Sequence, residues 1–236
     1  MKITGLQKMT LLDFPGRIAC TVFLQGCNFR CPFCHNSDLL GPEGMTKISV
    51  EALLAFLKKR KGMLDGVCIT GGEPTVHKDL PELLRAIKDL GYPVKLDTNG
   101  SNPAMLKELV AQHLVDYVAM DIKNSREKYG LTAGVPGLSM DKIEESMAFL
   151  LSGAVDYEFR TTVVRELHEK KDFQNMASWI LGLSSGNRVK RLFLQSYTDR
   201  DSVLCPGYSA PEMPEMENFL AAVSICTESA QIRGRE

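Results

Sequence analysis

Two patterns of apolar and polar residues alternate along the chain. Short runs rich in β-branched residues have the length and composition of buried strands. Six such runs occur, at residues 18–24, 66–70, 93–97, 115–121, 157–164 and 189–195. The longer segments between them carry apolar residues at positions i, i+3 and i+4, which predicts helices with one buried face.

Several of the predicted helices begin at residues that favour the N-cap position. These residues are Ser49, Asp79, Asn102 and Asp141. Near the C-terminus, a loop that contains Pro206 and Gly207 precedes a last predicted helix at about 212–230.

A strand followed by a helix, repeated six times, predicts right-handed crossovers and a parallel sheet. A doubly wound open sheet and a (β/α) barrel, complete or partial, both fit this pattern. Both place functional groups at the C-terminal ends of the strands, where this chain carries polar motifs. The sequence shows no linker, repeat or second core. A single domain is therefore predicted over residues 1–236, with a core at about 16–198 and a helical extension at about 199–236.

Composition and charge are those of a soluble globular protein. Hydrophobic residues make up 44% of the 236 residues, and 28 basic against 29 acidic residues give a net charge of −1. This balance argues against a broad nucleic-acid surface. We find neither a signal peptide nor a run of about 18 apolar residues that could span a membrane. A cytoplasmic location is expected, where seven cysteines indicate metal or redox chemistry rather than disulfides.

Three of the cysteines lie within eight residues in the string QGCNFRCPFCHN, residues 25–36, here called the cysteine loop. Their spacing is C-x3-C-x2-C, and they are Cys27, Cys31 and Cys34. The other four are isolated in the sequence. Cys20, Cys68 and Cys226 are expected to be buried as small hydrophobic residues, and Cys205 is given no role.

Three kinds of metal site are compatible with the cysteine loop. Zinc could be bound by the three cysteines and His35, although adjacent Cys34 and His35 would strain a tetrahedron. The string CPFCH matches a c-type haem attachment site, but it leaves Cys27 unexplained. A 4Fe–4S cluster normally takes four thiolates, so three would leave one iron open for chemistry. The pattern favours the cluster.

The cysteine loop, with Phe33 before its last cysteine, resembles the signature of the radical S-adenosylmethionine (SAM) enzymes. The resemblance implies a partial (β/α)6 barrel with one 4Fe–4S cluster on Cys27, Cys31 and Cys34. It also implies that SAM binds at the open iron and is cleaved reductively. Phe33 and His35, on either side of the last cysteine, are assigned to the SAM site by the same resemblance.

Motifs after the next strands resemble further parts of this family. TGGEPT matches the family's GGE motif, which implies that Gly71, Gly72 and Glu73 hold the SAM amino group. LDTNG and MDIK resemble motifs of the glycyl-radical-enzyme activating enzymes. The resemblance implies a monovalent cation at Asp97 and Asp121, and SAM contacts from Lys123 and Arg160.

Histidines contribute little to the predicted site. A SAM-contacting histidine that some activating enzymes carry after the sixth strand is replaced here by Ser196, Tyr197 and Thr198. His77, His113 and His168 are expected on the surface without a role.

The N-terminal string TLLDFPGRIACTVFLQGCNFRCPFCHN resembles glycyl-radical-enzyme activating enzymes, and most of all the activating protein of anaerobic ribonucleoside-triphosphate reductase. This implies a protein substrate that receives a glycyl radical, and flavodoxin or ferredoxin as the electron donor. Three alternatives stay open: a partner of the pyruvate formate-lyase type, a small-molecule substrate such as a deazapurine precursor, and a zinc-binding interaction module.

Overall fold

The computed structural model describes residues 1–41, 47–199 and 202–234. Its contacts divide the chain into two compact units. The first unit comprises Met1–Asn28 and Asp38–Ala119, and the second comprises Phe29–Ser37 and Met120–Glu236. The single domain predicted over the whole chain stays a prediction.

The first unit is a layer of strands covered by helices. Its elements are β1 (Ile3–Thr10), β2 (Ala19–Leu24), α1 (Val50–Lys59), β3 (Gly66–Gly71), α2 (Leu80–Asp89), β4 (Val94–Thr98) and α3 (Pro103–Ala111). Strand β1 pairs antiparallel with β2, whereas β2 with β3 and β3 with β4 are parallel. Parallel pairing brings the C-terminal ends of β2, β3 and β4 to one edge. The predicted motifs of this unit follow those ends.

The three predicted N-caps of the first unit, Ser49, Asp79 and Asn102, all stand at helix N-caps, and two of them make a side-chain cap bond. Ser49 caps α1 by accepting a hydrogen bond from Ala52 N at 3.1 Å, and Asn102 caps α3 by accepting one from Met105 N at 3.3 Å. Asp79 stands at the N-cap of α2 but makes no cap bond. Its carboxylate instead pairs with the N-terminal amine at 2.6 Å.

Strand β5 (Tyr117–Asp121) carries the chain from the first unit into the second. The second unit continues with α4 (Tyr129–Thr132), α5 (Asp141–Leu151), β6 (Asp156–Val163), α6 (Lys170–Leu183), β7 (Leu192–Ser196), α7 (Met213–Val223) and β8 (Ala230–Arg233). Strands β6, β7 and β8 are parallel neighbours in that order. Ile122 N donates to Arg160 O at 2.7 Å, so the end of β5 lies beside β6.

The six strands predicted from the sequence are confirmed as β2 to β7, but the first and last strands of the chain, β1 and β8, were missed. The second half of β1 is exposed at Gln7, Lys8 and Met9, and the strand lacks the apolar run on which the prediction relied. Strand β8 has four residues, none fully buried. The predicted helix at 212–230 is wrong beyond Val223, where a short 3-10 turn leads into β8. Asp141 was predicted to be an N-cap, and this is wrong: it is the first residue of α5, and Met140 occupies the N-cap position.

No helix in the described part of the chain is long and apolar enough to cross a membrane. The isolated cysteines behave as predicted: Cys20, Cys68 and Cys226 are fully buried, and Cys205 is exposed.

Candidate functional site

The cysteine loop begins in the first unit, directly after β2. Gly26 has φ +95, a conformation that glycine adopts without strain, and its N–H donates to Leu39 O at 2.8 Å. Cys27 follows and is half-buried. The side-chain amide of Asn99 lies 3.9 Å from Cys27 Sγ and donates to Asn28 Oδ1 at 3.0 Å. The first predicted ligand therefore has an N–H group directed at its sulfur.

Cys31 and Cys34 belong to the second unit. Cys34 N donates to Cys31 O at 3.0 Å, which closes a tight turn between the two cysteines. Cys31 is buried, and its sulfur contacts Ala133 O at 3.7 Å. Burial raises the pKa of the Cys31 thiol, and the positive charge of Lys123 acts in the opposite direction.

Phe33 and His35 have different surroundings in the second unit. Phe33 is buried, and the half-buried His35 ring meets Tyr197 edge-on at a centroid distance of 5.5 Å. Tyr197 is one of the residues that stand where some activating enzymes carry a histidine. Ser202 Oγ donates to His35 O at 2.6 Å, and Ser37 Oγ donates to Ser202 O at 2.6 Å. Residues after β7 thus hold this end of the cysteine loop.

The predicted SAM motif Gly71–Glu73, here called the GGE turn, packs against the start of the cysteine loop. Gly72 N donates to Leu24 O at 2.9 Å, and Glu73 N donates to Gly26 O at 2.8 Å. A Cβ at Gly72 would lie 2.0 Å from Gly26 O. At Gly71, where φ is +132, a Cβ would lie 2.2 Å from Leu24 O. Both glycines are required by this close approach of two backbones.

We expect Gly72→Ala to lower the free energy of unfolding by about 3 kcal/mol or more, because a backbone carbonyl cannot move aside as a side chain does. The matched control is Gly182→Ala near the end of α6, where nothing lies within 4 Å of an added Cβ. That control is expected to be neutral or more stable by about 0.5–1 kcal/mol. Urea unfolding of both variants measures the difference, and equal stabilities would contradict the geometry.

Glu73 is 1% exposed and is surrounded by hydrogen-bond donors of the first unit. Its carboxylate accepts from Thr75 N at 3.1 Å and Thr75 Oγ1, from Thr98 Oγ1 at 2.7 Å, and from Asn99 N at 2.6 Å. Burial raises the pKa of Glu73, and these hydrogen bonds lower it. The carboxylate therefore fastens the GGE turn to the end of β4. Its predicted contact with SAM stays a prediction.

Asp97, the first predicted cation ligand, has a partner that the sequence analysis did not identify. Lys95, two residues earlier on β4, is 1% exposed, and its ammonium group pairs with the Asp97 carboxylate. The same nitrogen lies 4.0 Å from Cys68 Sγ on β3. A buried ammonium ion thus stands beside this aspartate.

Asp121, the second predicted cation ligand, lies in the second unit with two basic side chains. Lys123 Nζ lies 2.9 Å from Asp121 Oδ2, and Arg160 Nε lies 3.1 Å from Asp121 Oδ1. Burial would raise the pKa of Asp121, but the charges and hydrogen bonds of Lys123 and Arg160 lower it to about 2. The structure thus brings three residues of the predicted SAM and cation site together, with the carboxylate held ionised.

His168 was expected on the surface, and this is wrong. It is 3% exposed; its Nδ1 lies 3.1 Å from Val164 N and its Nε2 lies 2.9 Å from Lys123 O. Burial lowers the pKa of the imidazole. With Val164 N–H as donor to Nδ1, a neutral ring donates from Nε2 to the Lys123 carbonyl and fixes the backbone at that lysine. His113 is exposed, as expected.

The donor set of the cysteine loop suits an iron–sulfur cluster. A thiolate ligand is stabilised by N–H groups directed at the sulfur and by nearby positive charge. Cys27 has the first, from Asn99, and Cys31 has the second, from Lys123. Among the described residues, no group of three His, Cys, Asp or Glu side chains is arranged to hold a single metal ion.

Comparisons with known sequences agree with the motifs. The sequence profile of the Radical SAM superfamily matches residues 21–172. A protein of Methanocaldococcus jannaschii named "Putative glycyl-radical enzyme activating enzyme" is 33% identical over 184 residues, which is 75% of each chain. The pyruvate formate-lyase-activating enzyme of Clostridium pasteurianum is 34% identical over 128 residues, which is 52% of each chain.

A solved structure has the same kind of fold. It is a domain of pyruvate-formate lyase-activating enzyme from Bacteroides vulgatus, with a TM-score of 0.57 and 17% identity. The match covers 72% of this chain and 99% of that domain. At this identity the likeness shows the fold alone. With the family match, it confirms the α/β class predicted from the sequence, that of a partial (β/α)6 barrel.

Proposed function

Because this chain belongs to the radical SAM superfamily, we propose that it cleaves SAM reductively and generates a glycyl radical on a partner enzyme. The resemblance to activating enzymes covers most of the chain in the M. jannaschii relative. The proposal is carried by two hydrogen bonds in the first unit. Asn99 N donates to the Glu73 carboxylate, and the Asn99 side-chain amide donates to Cys27 Sγ. The GGE turn, the end of β4 and the start of the cysteine loop up to Asn28 are thereby one connected structure within the first unit.

Cys27, Cys31 and Cys34 would hold the 4Fe–4S cluster that the family implies. When bound, the cluster supplies the electron that splits SAM into methionine and a 5′-deoxyadenosyl radical. The chain's own contributions are a hydrogen bond to Cys27, a positive charge near Cys31, and the tight turn that spaces Cys31 and Cys34.

The SAM site is proposed from the same residues that the resemblance indicated. Gly71 and Gly72 let the GGE turn approach the start of the cysteine loop closely, and backbone groups of this turn would bind the methionine end of SAM. Glu73 supports this end by ordering the turn, in addition to its predicted contact with the amino group.

In the second unit, Lys123 and Arg160 both bind Asp121, and their positive charges would suit the carboxylate of SAM. Phe33 and His35 contribute an apolar face and a ring edge for the nucleotide.

The proposed partner is anaerobic ribonucleoside-triphosphate reductase, which would present a loop with an accessible glycine. Glycine suits hydrogen abstraction because no side chain blocks access to its Cα. Flavodoxin or ferredoxin would supply the electron. The support for this choice of partner is the resemblance that begins with the string at residues 10–36, extends over roughly residues 10–125 and becomes weaker towards the C-terminus.

The test is anaerobic and uses the full chain with its cluster reconstituted. SAM, a reductant and the reductase from the same organism are added, and the electron paramagnetic resonance spectrum is recorded. We expect a glycyl-radical doublet that requires every component. If 5′-deoxyadenosine forms without the doublet, the partner is wrong, and pyruvate formate-lyase or a deazapurine precursor becomes the next substrate to test. If neither forms, the proposed activity is wrong.

We expect Asn99→Leu to lower the reduction potential of the cluster, because an N–H directed at a ligand sulfur stabilises the more negative reduced form. The expected shift is on the order of 40 mV, the one-electron equivalent of about 1 kcal/mol. A redox titration followed by electron paramagnetic resonance measures it. Asn36→Leu, at an exposed position of the same loop, is the control. The same potential in both variants would show that the amide does not act on the cluster.

A further inference from the structure

A lysine is buried in the first unit beside the predicted site. Strand β4 places Lys95 and Asp97 on the same face, because side chains alternate with a period of two. The Lys95 side chain is 2% exposed, that of Asp97 is 14% exposed, and their charged groups are in contact. Cys68 Sγ on β3 lies 4.0 Å from the Lys95 nitrogen.

The buried Lys95 ammonium group depends on its contact with the Asp97 carboxylate. An ammonium ion that has lost its hydration is strongly unfavourable unless a counter-charge and hydrogen bonds replace the water. The Asp97 carboxylate supplies a counter-charge and a hydrogen bond. The negative charge of Asp97 is therefore already balanced within its own unit.

The negative charge of Asp121 is also balanced by basic side chains, within the second unit. Lys123 contacts one carboxylate oxygen at 2.9 Å and Arg160 contacts the other at 3.1 Å. One carboxylate thus faces two permanent positive charges. Each of the two aspartates that were predicted to hold a monovalent cation has its own protein cations.

This arrangement does not fit an alkali metal ion. Sodium and potassium are bound by carbonyl or carboxylate oxygen atoms, and a neighbouring ammonium or guanidinium group repels them. We propose that the Lys95 ammonium takes the place of the monovalent cation at Asp97, so that this chain binds and cleaves SAM without an alkali metal ion. The proposal rests on the proposed function. It makes Lys95 a positioning residue, which acts through Asp97 and the Thr98–Asn99 segment that follows it.

The first test compares two media with the cluster-loaded wild-type chain. One contains potassium or sodium salts, and the other contains only tetramethylammonium salts at the same ionic strength. The affinity for SAM is measured by equilibrium dialysis, and the formation of 5′-deoxyadenosine is measured in parallel. Both quantities are expected to agree within about threefold between the media. A larger stimulation by potassium or sodium overturns the proposal.

The second test uses substitutions at the lysine. Lys95→Met is expected to weaken SAM binding by about tenfold or more in the tetramethylammonium medium, with recovery when potassium is added. Lys95→Arg keeps the charge and is expected to stay independent of the medium. If Lys95→Met does not fold, the proposal is still tested by whether SAM binding by Lys95→Arg and by the wild type depends on the medium. SAM binding by Lys95→Met that equals the wild type without potassium overturns the proposal.

The outcomes separate this inference from the proposed function. Cleavage that requires an alkali metal ion refutes the role of Lys95 and leaves the activity intact. Absence of cleavage in every medium refutes the activity, while the SAM affinities in the two media still decide the role of Lys95.

Discussion

Alanine in place of Cys27, Cys31 or Cys34 is expected to abolish the formation of 5′-deoxyadenosine from SAM. Each cysteine is proposed to bind a different iron of one cluster, so the loss of any one leaves an iron without its protein ligand. The readouts are iron and sulfide content after anaerobic reconstitution, and 5′-deoxyadenosine by liquid chromatography. Both should fall together in all three variants.

Two comparisons make this test specific. Cys205→Ala is the matched control, because Cys205 is exposed and lies outside the cysteine loop. It should keep the cluster and the cleavage activity. If the cysteine loop were a zinc site, metal analysis of the wild type would find zinc and no sulfide. If one of the three variants kept full cleavage, the assignment of that cysteine as a ligand would be wrong.

Glu73→Gln is expected to have the second largest effect, on stability and on SAM binding together. The carboxylate accepts from four donors, and a glutamine amide would turn an NH2 group toward at least one of them. Leaving a buried donor unpaired costs about 1–3 kcal/mol, and more when the partner was charged. We therefore expect a loss of about 2–4 kcal/mol in the free energy of unfolding, measured in urea.

The control for this change is Thr98→Val, which removes a single donor from the same carboxylate. It is expected to lose about 1 kcal/mol and to keep measurable SAM binding. The decisive comparison is that Glu73→Gln should lose more free energy of unfolding than Thr98→Val. If Glu73→Gln were as stable as the wild type and bound SAM equally well, the carboxylate would neither support the GGE turn nor contact SAM.

Much of the fold follows from the sequence because strands β2 to β7 are buried on both faces. Such strands appear as continuous apolar runs, for example ACTVFL in β2. Strands β1 and β8 were not predicted, because they are half-exposed. They are strands because each pairs with a neighbouring strand. Local residue patterns carry no information on that pairing.

The site was predictable to the extent that its residues adjoin each other in the sequence. Lys95 could have been found, since strand periodicity places it on the same face as Asp97. The Glu73–Asn99 bond could be anticipated only from the parallel pairing of β3 and β4, which brings their C-terminal ends together. His168 gave no signal, because its charged neighbours in RELHEKK are typical of surface residues. Its burial depends on the distant Lys123 carbonyl.

The most direct test of the central claim follows the hydrogen atom itself. The partner reductase is produced with glycine deuterated at Cα and is incubated anaerobically with the reconstituted chain, SAM and reductant. Mass spectrometry of the 5′-deoxyadenosine should then show one deuterium, in an amount that matches the glycyl radical formed. If 5′-deoxyadenosine forms without deuterium, this chain does not take its hydrogen from a glycine of that partner.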